Sequence, residues 1–140
     1  LALARPNGSV SPAGLFRGRW TMVYLGDGRC DTSCQNALHV MRQTRLSLAN
    51  NMDRVQLVFI ATHDCCRLDL LTREYPALQV VAAPGADTRG LLSQFPQAEL
   101  GQSIYLVDPL GNLLLRFDAR QPPKGLHSDL TQLLELSHIG

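Results

Sequence analysis

Cys30 and Cys34 are the residues whose types and spacing point most directly to chemistry in this chain of 140 residues. Asp31, which follows the first cysteine, suits the start of a helix, and residues four apart on a helix lie about one turn apart on the same face. The two sulfurs can therefore form a disulfide or hold one soft metal ion together. The spacing leaves open two further interpretations, a purely structural disulfide and two inert thiols in the core.

The position of each cysteine relative to the helix predicts its role. A sulfur at the start of a helix lies at the positive end of the helix dipole, where unpaired backbone N–H groups favour the thiolate over the thiol. A helix that starts near Cys30 therefore predicts Cys30 as the nucleophile or metal ligand. Cys34, one turn further on, is then the thiol that resolves a mixed disulfide.

Two predicted strands and one helix must position this pair. Residues 21–25 form an apolar run that ends in a Gly-Asp-Gly turn, and residues 55–61 are the most strand-like run in the chain. The helix between them is ended by Asn50, Asn51 and Asp53, and its apolar stripe comprises Cys34, Ala37, Leu38, Met41, Leu48 and Met52. A unit of this kind is right-handed and parallel, so both strands end at the same edge of the sheet.

The loop after the second strand, residues 62–66, should therefore lie beside the cysteine pair, since ligands gather at the carboxyl edge of such sheets. Its auxiliary candidates are His63, Asp64, Cys65 and Cys66. Adjacent residues have Cα atoms only about 3.8 Å apart, below the usual disulfide range of about 4.4–6.8 Å. Cys65 and Cys66 are therefore interpreted as free thiols, as exchange partners for the first pair, or as a strained regulatory disulfide or extra metal ligands.

Other side chains that could do chemistry are predicted to have structural or surface roles instead. At about 100° per residue, His39 points about 180° away from Cys30 around the helix, which predicts a surface histidine rather than a copper ligand. Trp20 is predicted to fill the core. Arg42 and Arg45 are predicted to be solvated or salt-bridged cations, and His127 and His138 are predicted to be solvated flanks.

The rest of the chain supplies further elements around the same sheet. A short helix ends at Pro76, residues 78–83 form an edge strand, and a turn leads into another brief helix. The runs 103–107 and 113–117 flank Asp-Pro and Gly-Asn turn signals, which predicts a β-hairpin. A terminal helix capped by Ser128 follows the hairpin. This order of elements predicts an α/β fold around a mixed sheet.

Composition limits the chain to one globular domain, because 45% of the residues are hydrophobic, 18% are charged and the net charge is +1. Charges of both signs are scattered along the sequence, which argues against nucleic acid as a partner. No run approaches the roughly 20 apolar residues that span a bilayer. Four cysteines suit redox chemistry or an oxidising compartment, and we predict the periplasm.

The N-terminal region predicts a tether rather than part of the fold. The sequence starts at Leu1, and its first 26 residues include three arginines and no acidic residue, with Pro, Gly and Ser between them. We therefore expect residues 1–14 to be a flexible tether that follows a missing N-terminal membrane anchor or signal. Residues 15–140 then form the folded domain.

Several motifs resemble the Sco/SenC family of thioredoxin-like proteins in cytochrome oxidase assembly. The segment FRGRWTMVYLGDGRCDTSC resembles the family's strand, turn and Cys-x-x-x-Cys helix, DRVQLVFIATHD resembles its second strand and loop, and SIYLVDPLGNLLLRF resembles its closing hairpin. The chain is more similar still to a less characterised membrane-anchored bacterial branch, with which it shares DRVQ and DPLGNL. The resemblance implies a thioredoxin-like three-layer sandwich with a mixed sheet, a C-terminal β-hairpin and a C-terminal helix.

The resemblance also implies a function, a thiol-disulfide redox protein that supports assembly of the oxidase copper site. It implies a location at the bacterial inner membrane with the domain facing the periplasm. The implied partners are an oxidase subunit or another periplasmic thiol or copper protein.

The sequence departs from the family pattern at the metal site. Sco relatives complete a copper site with a histidine before the closing hairpin, where this chain has Leu100 or Gly101. Pro96 also lies too far upstream to match the cis-proline of thioredoxins. We therefore expect no required cofactor and only weak binding of Cu(I) or Cu(II) through Cys30 and Cys34.

Three alternatives to this redox function stay open. The first is a copper(I) carrier that uses Cys30 and Cys34 as ligands, and the second is a general periplasmic thiol-disulfide oxidoreductase without a link to the oxidase. The third is a redox-silent assembly scaffold. A midpoint potential separates the scaffold from the others, because structural disulfides have potentials below roughly −300 mV.

Overall fold

Two parallel strands joined by the cysteine helix form the centre of the sheet. The computed structural model describes residues 18–27, 30–63, 71, 73–82, 102–110 and 112–137, with the backbone alone at residues 27, 61–63, 81 and 82. The elements, in chain order, are β1 (Trp20–Asp27), α1 (Thr32–Leu46), a 3₁₀ helix (Ala49–Arg54), β2 (Val55–His63), β3 (Leu78–Ala82), β4 (Ser103–Val107), β5 (Leu113–Asp118) and α2 (Pro123–Leu136).

The described strands form one mixed sheet in the order β3-β2-β1-β4-β5. β2 runs parallel to β1 and to β3, whereas β4 is antiparallel to both β1 and β5. The parallel pairing of β1 and β2 through α1, the edge position of β3 and the hairpin of β4 and β5 are all confirmed. Both parallel strands therefore end beside the start of α1, the arrangement that the sequence predicted for the cysteine site.

A continuous apolar core joins α1 and α2 to the sheet. β1 is almost fully buried, as expected for a strand with neighbours on both sides. Trp20 is 4% exposed, which confirms that it fills the core. The helices contribute buried side chains at helical intervals, and these are Cys34, Ala37, Leu38, Met41, Leu126, Leu130 and Leu134.

The end of α1 differs from the prediction. The helix ends at Leu46, and Asn50, Asn51 and Asp53 lie in the separate 3₁₀ helix that follows. Ser47 is the C-cap, its hydroxyl donates to the Thr44 carbonyl at 2.6 Å, and the backbone leaves the helical region at Ala49, which has a φ of 52°.

The start of α2 also differs from the prediction. α2 begins at Pro123, so Ser128 lies inside the helix rather than at its cap. Proline fits the first helical position, because its missing N–H would have no partner there and its φ is already helical. The predicted short helix before Pro76 is described only in part, with Leu71, Arg73 and Glu74 helical. The predicted tether and the brief helix after β3 lie outside the described residues.

The hairpin of β4 and β5 is held by the side chain of Asp108. Its Oδ1 accepts the backbone N–H groups of Leu110 and Asn112 at 3.0 and 2.8 Å. The turn therefore forms around the aspartate of the Asp-Pro signal. In the described ranges, no helix combines the length and the apolar character needed to cross a bilayer.

Candidate thiol site

Cys30 and Cys34 are joined in a disulfide at the junction between β1 and α1. Their Cα atoms are 4.9 Å apart, within the usual disulfide range. Both residues are buried, at 1% and 2% exposure, and they belong to the same apolar cluster as the helix and sheet residues around them. The structure therefore holds the pair in the oxidised form and shields both sulfurs from solvent.

The helix begins after Cys30 rather than at it. The N-cap residue is Asp31, whose Oδ1 accepts the backbone N–H of Cys34 at 3.0 Å. Cys30 precedes the cap with a φ of 45°, in the left-handed region that few non-glycine residues adopt. Its carbonyl accepts the side-chain amide of Gln35 at 3.1 Å, which ties the bend to the first turn of α1.

This geometry changes the electrostatic argument drawn from the sequence. The prediction gave Cys30 the free N–H groups at the positive end of the dipole, but a carboxylate already satisfies one of those donors. An acidic side chain at a helix N-terminus offsets the positive end of the dipole. The helix start therefore favours a thiolate at Cys30 less than the sequence alone implied.

Tyr24 lies in the core close to the cysteine site. It is 1% exposed, and its ring packs against Phe59 with centroids 5.6 Å apart. The ring also occupies the space beside Gly26, because a Cβ placed on that glycine would lie 2.6 Å from Tyr24 Cε2. Burial raises the pKa of Tyr24 well above its usual value, and the negative charge of Asp31 raises it further. The phenol is therefore neutral at physiological pH.

The ends of β1 and β2 meet at the carboxyl edge of the sheet. Gly26 pairs with Ala61 and Asp27 pairs with His63, with a register shift between the two pairs. The strands are longer than predicted, because the Gly-Asp part of the turn belongs to β1, and Thr62 and His63 belong to β2. Such irregularities often occur beside functional sites, where they redirect side chains.

The backbone of His63 is therefore placed at the same edge as the cysteine pair, as the topology predicted. The other auxiliary candidates, Asp64, Cys65 and Cys66, lie outside the described residues. So do Leu100 and Gly101, where the resemblance places the third copper ligand, and Pro96. Their roles stay predictions.

The residues assigned to structure take several different environments. His39 is exposed on α1. Arg42 lies over the Tyr75 ring, with its guanidinium carbon 5.1 Å from the centroid, and Arg45 Nε donates to the Val55 carbonyl at 2.8 Å. Both arginines therefore hold α1 against neighbouring segments, rather than only being solvated or salt-bridged.

His127 is half-buried rather than a solvated flank. Its Nδ1 lies 2.7 Å from Ser47 Oγ, which already donates to the Thr44 carbonyl. Nδ1 is therefore the donor, and the contact joins α2 to the end of α1. His138 lies outside the described residues.

Cys30 and Cys34 are also the candidate metal ligands. Among the residues that the structure describes, no group of three or more His, Cys, Asp or Glu side chains is placed to hold a metal ion. Cys30 and Cys34 could offer two soft ligands to copper only after reduction, since both sulfurs are now bonded to each other.

The sequence prediction missed Tyr24 as a neighbour of the site. In the sequence it appears as one apolar residue in a buried strand, and strand alternation predicts its burial without indicating what its hydroxyl faces. The available signal was its position two residues before Gly26, since a glycine in a strand often marks a close approach by another group.

Comparison with known proteins agrees with this geometry. The model of a family described as "Transmembrane-like, thioredoxin-like, C-terminal domain" matches residues 20–137. The fold also matches ScoI of Bradyrhizobium japonicum with copper bound, at a TM-score of 0.73 and 18% identity, with coverage of 94% of this chain and 95% of that one.

Two further solved structures extend the match. Yeast Sco1 with copper bound gives a TM-score of 0.82 at 15% identity, with coverage of 97% of this chain and 90% of that one. MTB DsbF, in its mixed oxidised and reduced forms, gives a TM-score of 0.65 at 18% identity, with coverage of 95% of this chain and 94% of that one. At such identities the likeness shows the fold, so the thioredoxin-like α/β fold and the resemblance to Sco proteins are confirmed at that level. No curated protein matches the chain.

Proposed function

Because this chain belongs to the family of transmembrane-like, thioredoxin-like C-terminal domains, we propose that it is a thiol-disulfide redox protein whose working groups are Cys30 and Cys34. The observation that carries the proposal is the disulfide between these residues at the junction of β1 and α1. Its two cysteines are four positions apart and lie at the carboxyl edge of a parallel strand pair, where reactive groups gather in α/β folds.

The exchange reaction uses both sulfurs in turn. In the reduced protein, the thiolate of Cys30 attacks one sulfur of a partner disulfide, which forms a mixed disulfide and releases one partner thiolate. The thiolate of Cys34 then attacks the Cys30 sulfur, which releases the second partner thiolate and closes the Cys30–Cys34 disulfide. Two electrons pass to the partner, and its thiolates take protons from water.

Burial of the pair restricts this exchange to partners that can reach it. At 1% and 2% exposure, neither cysteine residue offers its sulfur to solvent in the oxidised form. Thiol exchange depends on access as well as on the thiolate fraction. The first encounter must therefore expose a sulfur, which favours a docked protein partner over random attack by small thiols.

The proposed setting of this chemistry is the assembly of cytochrome oxidase. The fold is shared with Sco proteins that hold copper, and the chain's family is described as transmembrane-like. We propose that the domain is held by a membrane tether at the bacterial inner membrane and faces the periplasm. There it would keep the cysteines of an oxidase subunit, or of another thiol or copper protein, in the reduced state that copper loading requires.

A second candidate function is the carriage of copper(I) as cargo. The observation that favours it is the 4.9 Å separation of the two Cα atoms, which brings two soft ligands together once they are reduced. Since Leu100 or Gly101 stands where the resemblance places a histidine ligand, we expect weak binding. Competition of the reduced protein with a Cu(I) chelator tests this candidate, and Leu100→His or Gly101→His should improve the binding if the resemblance places the missing ligand correctly.

The deciding experiment for the redox function is capture of a mixed disulfide. We expect Cys34→Ser, expressed with its membrane region, to accumulate a covalent adduct through Cys30 that reductant releases and mass spectrometry identifies. The matched variant Cys30→Ser should accumulate much less adduct. Capture by neither variant, together with a wild-type potential below roughly −300 mV, would instead identify a structural disulfide and a redox-silent scaffold.

A further inference from the structure

We propose that Asp31 is a positioning residue that biases the Cys30–Cys34 pair toward its disulfide form, and so makes the reduced protein a stronger electron donor. This inference rests on the proposed redox function. Asp31 would act through the cysteines and the start of α1, without itself exchanging electrons.

The contacts of Asp31 connect it to both sulfurs. It directly follows Cys30 in the chain, and its Oδ1 accepts the backbone N–H of Cys34 at 3.0 Å. That N–H is one of the donors at the start of a 15-residue helix which has no partner within the helix. The carboxylate therefore uses a donor that could otherwise stabilise a nearby thiolate.

The negative charge of Asp31 also acts on the interior beneath the helix start. Its influence on Tyr24, a residue at 1% exposure, raises the pKa of the phenol beyond the effect of burial. Tyr24, Cys30 and Cys34 belong to one buried cluster. Asp31 also directly follows Cys30 and accepts the backbone N–H of Cys34, so a thiolate formed at either cysteine would lie close to this negative charge and be repelled by it.

Repulsion changes the redox balance because the two forms differ in charge. The disulfide is neutral, whereas the reduced pair carries negative charge in whichever molecules have a thiolate. An adjacent carboxylate thus raises the free energy of the reduced form and leaves the disulfide unaffected. The equilibrium moves toward the disulfide, and a partner disulfide receives electrons more readily from the reduced protein.

Asp31→Asn separates charge from capping. Asparagine is about as good an N-cap as aspartate, so the acceptor for the Cys34 N–H remains while the charge is removed. Asp31→Ala removes both the charge and the acceptor. Asp129→Asn, an exposed position on α2, controls for the loss of one negative charge elsewhere on the protein.

The measurement is equilibration with glutathione at a fixed pH of about 9.5, roughly one unit above the pKa of a free thiol, so that the reduced pair carries a thiolate. The two sulfurs of the disulfide accept two electrons and two protons from two glutathione molecules, which become one glutathione disulfide. The reduced fraction is read after acid quenching and alkylation, by the mass of the peptide that contains both cysteines. Thermal unfolding of each variant shows whether it is folded.

We expect Asp31→Asn to raise the equilibrium constant for reduction about two- to fivefold, the effect of one charge at a helix N-terminus. Asp129→Asn should match the wild type. No change in Asp31→Asn, or a change in the opposite sense, would overturn the inference. If Asp31→Ala shifts the equilibrium and Asp31→Asn does not, capping geometry rather than charge is responsible, and the inference is equally wrong.

The same titration separates failure of this inference from failure of the proposed function. A wild-type pair that remains a disulfide at every glutathione ratio, whether the titration starts from the oxidised or from the reduced protein, argues against the redox function itself. A wild-type disulfide that equilibrates normally, with Asp31→Asn unshifted, leaves the redox function intact and removes only the role of Asp31.

Discussion

Tyr24 and Asp31 show how single residues set the properties of the cysteine site. The tyrosine ring packs on Phe59 and fills the space beside Gly26, so its hydroxyl is carried into the interior with the ring. The aspartate caps α1 from the surface while its charge reaches that hydroxyl. The chain therefore combines a neutral buried acid with a charged capping acid within one short segment, residues 24–31.

We predict that Tyr24 makes the fold sensitive to alkaline pH. The phenol titrates at a pH of about 10 in the unfolded chain and at a higher pH when folded. Below pH 10 both states hold the proton and Tyr24 adds no pH dependence. Above it, the unfolded state loses the proton first, so the free energy of unfolding falls by about 1.4 kcal/mol per pH unit until the folded pKa is reached.

Denaturant unfolding at pH 9, 10 and 11 checks this prediction, with wild type and Tyr24→Phe compared at each pH. Phenylalanine keeps the ring, so the variant should lose less stability between pH 10 and 11 than the wild type. Tyr75→Phe, at a half-buried tyrosine outside the site, controls for general effects of high pH. Parallel curves for wild type and Tyr24→Phe would contradict the prediction.

The sequence predicted the cysteine pair well and its surroundings less well. The spacing predicted the Cys30–Cys34 pair, although the helix on which that prediction rested begins only at Thr32 and Cys30 precedes its cap. Several residues after Cys30 can cap a helix, and the sequence alone does not say which of them does. Asp31 is the cap in the structure, so the helix begins at Thr32. Side-chain neighbours such as Tyr24 depend on tertiary packing that no local pattern records.

The end of β1, which leads to the cysteine site, contains a closely packed glycine. Gly26 is buried in the strand, and the Tyr24 ring lies where a side chain would stand. The register shift that follows moves Asp27 opposite His63. The end of β1 is therefore tightly packed on the face that carries Tyr24 and Gly26.

We predict that Gly26→Ala destabilises the protein by about 1–3 kcal/mol, because the added methyl group overpacks a filled core. The Cβ would lie 2.6 Å from Tyr24 Cε2, so the buried ring must move. Urea unfolding measures the loss. Near-ultraviolet circular dichroism should change as well, since the tyrosine environment changes.

Gly125→Ala is the matched control. At that position a Cβ meets Phe117 at an ordinary 3.5 Å, and alanine is the better helix former. The control should therefore be neutral or stabilising by about 0.5–1 kcal/mol. If both alanine variants have the same sign and size, the close approach of Tyr24 to Gly26 does not govern the packing of β1.

Element prediction succeeded where the turn chemistry was local. The β4–β5 hairpin follows from the Asp-Pro and Gly-Asn signals, and the side chain of Asp108 holds it as an aspartate in such a turn does. The predicted start of α2 was wrong because this segment has two possible helix starts, Pro123 and Ser128. The helix begins at the earlier one. Local patterns do not rank two such signals.

At the scale of the whole molecule, polar contacts hold the helical layer to the sheet and to itself. Asn36 Nδ2 donates to the Ala119 carbonyl at 2.9 Å, across 83 positions in sequence. Arg54 Nη1 donates to the Leu134 carbonyl near the end of α2 at 3.1 Å. Both contacts join segments far apart in the chain, and the contact of Asn36 restrains α1, the helix whose start carries the site.

We predict that reduction of the Cys30–Cys34 disulfide lowers the free energy of unfolding by about 2 kcal/mol, while the folded state persists. The closed loop is short, so the chain-entropy model gives the disulfide a modest share of the stability. The apolar core and the contacts of α1 do not depend on the bond. Denaturant unfolding of the wild type with and without a phosphine reductant measures the difference.

The double variant Cys30→Ser/Cys34→Ser identifies which cysteines are responsible. It should unfold at the same denaturant concentration with and without reductant, because the bond that reductant breaks is absent. A reductant effect that persists in the double variant would instead come from Cys65 and Cys66, and the stabilising disulfide would then include those residues. A reduced wild type that does not fold would show that the bond is required by the fold, which is incompatible with a disulfide that opens and closes during function.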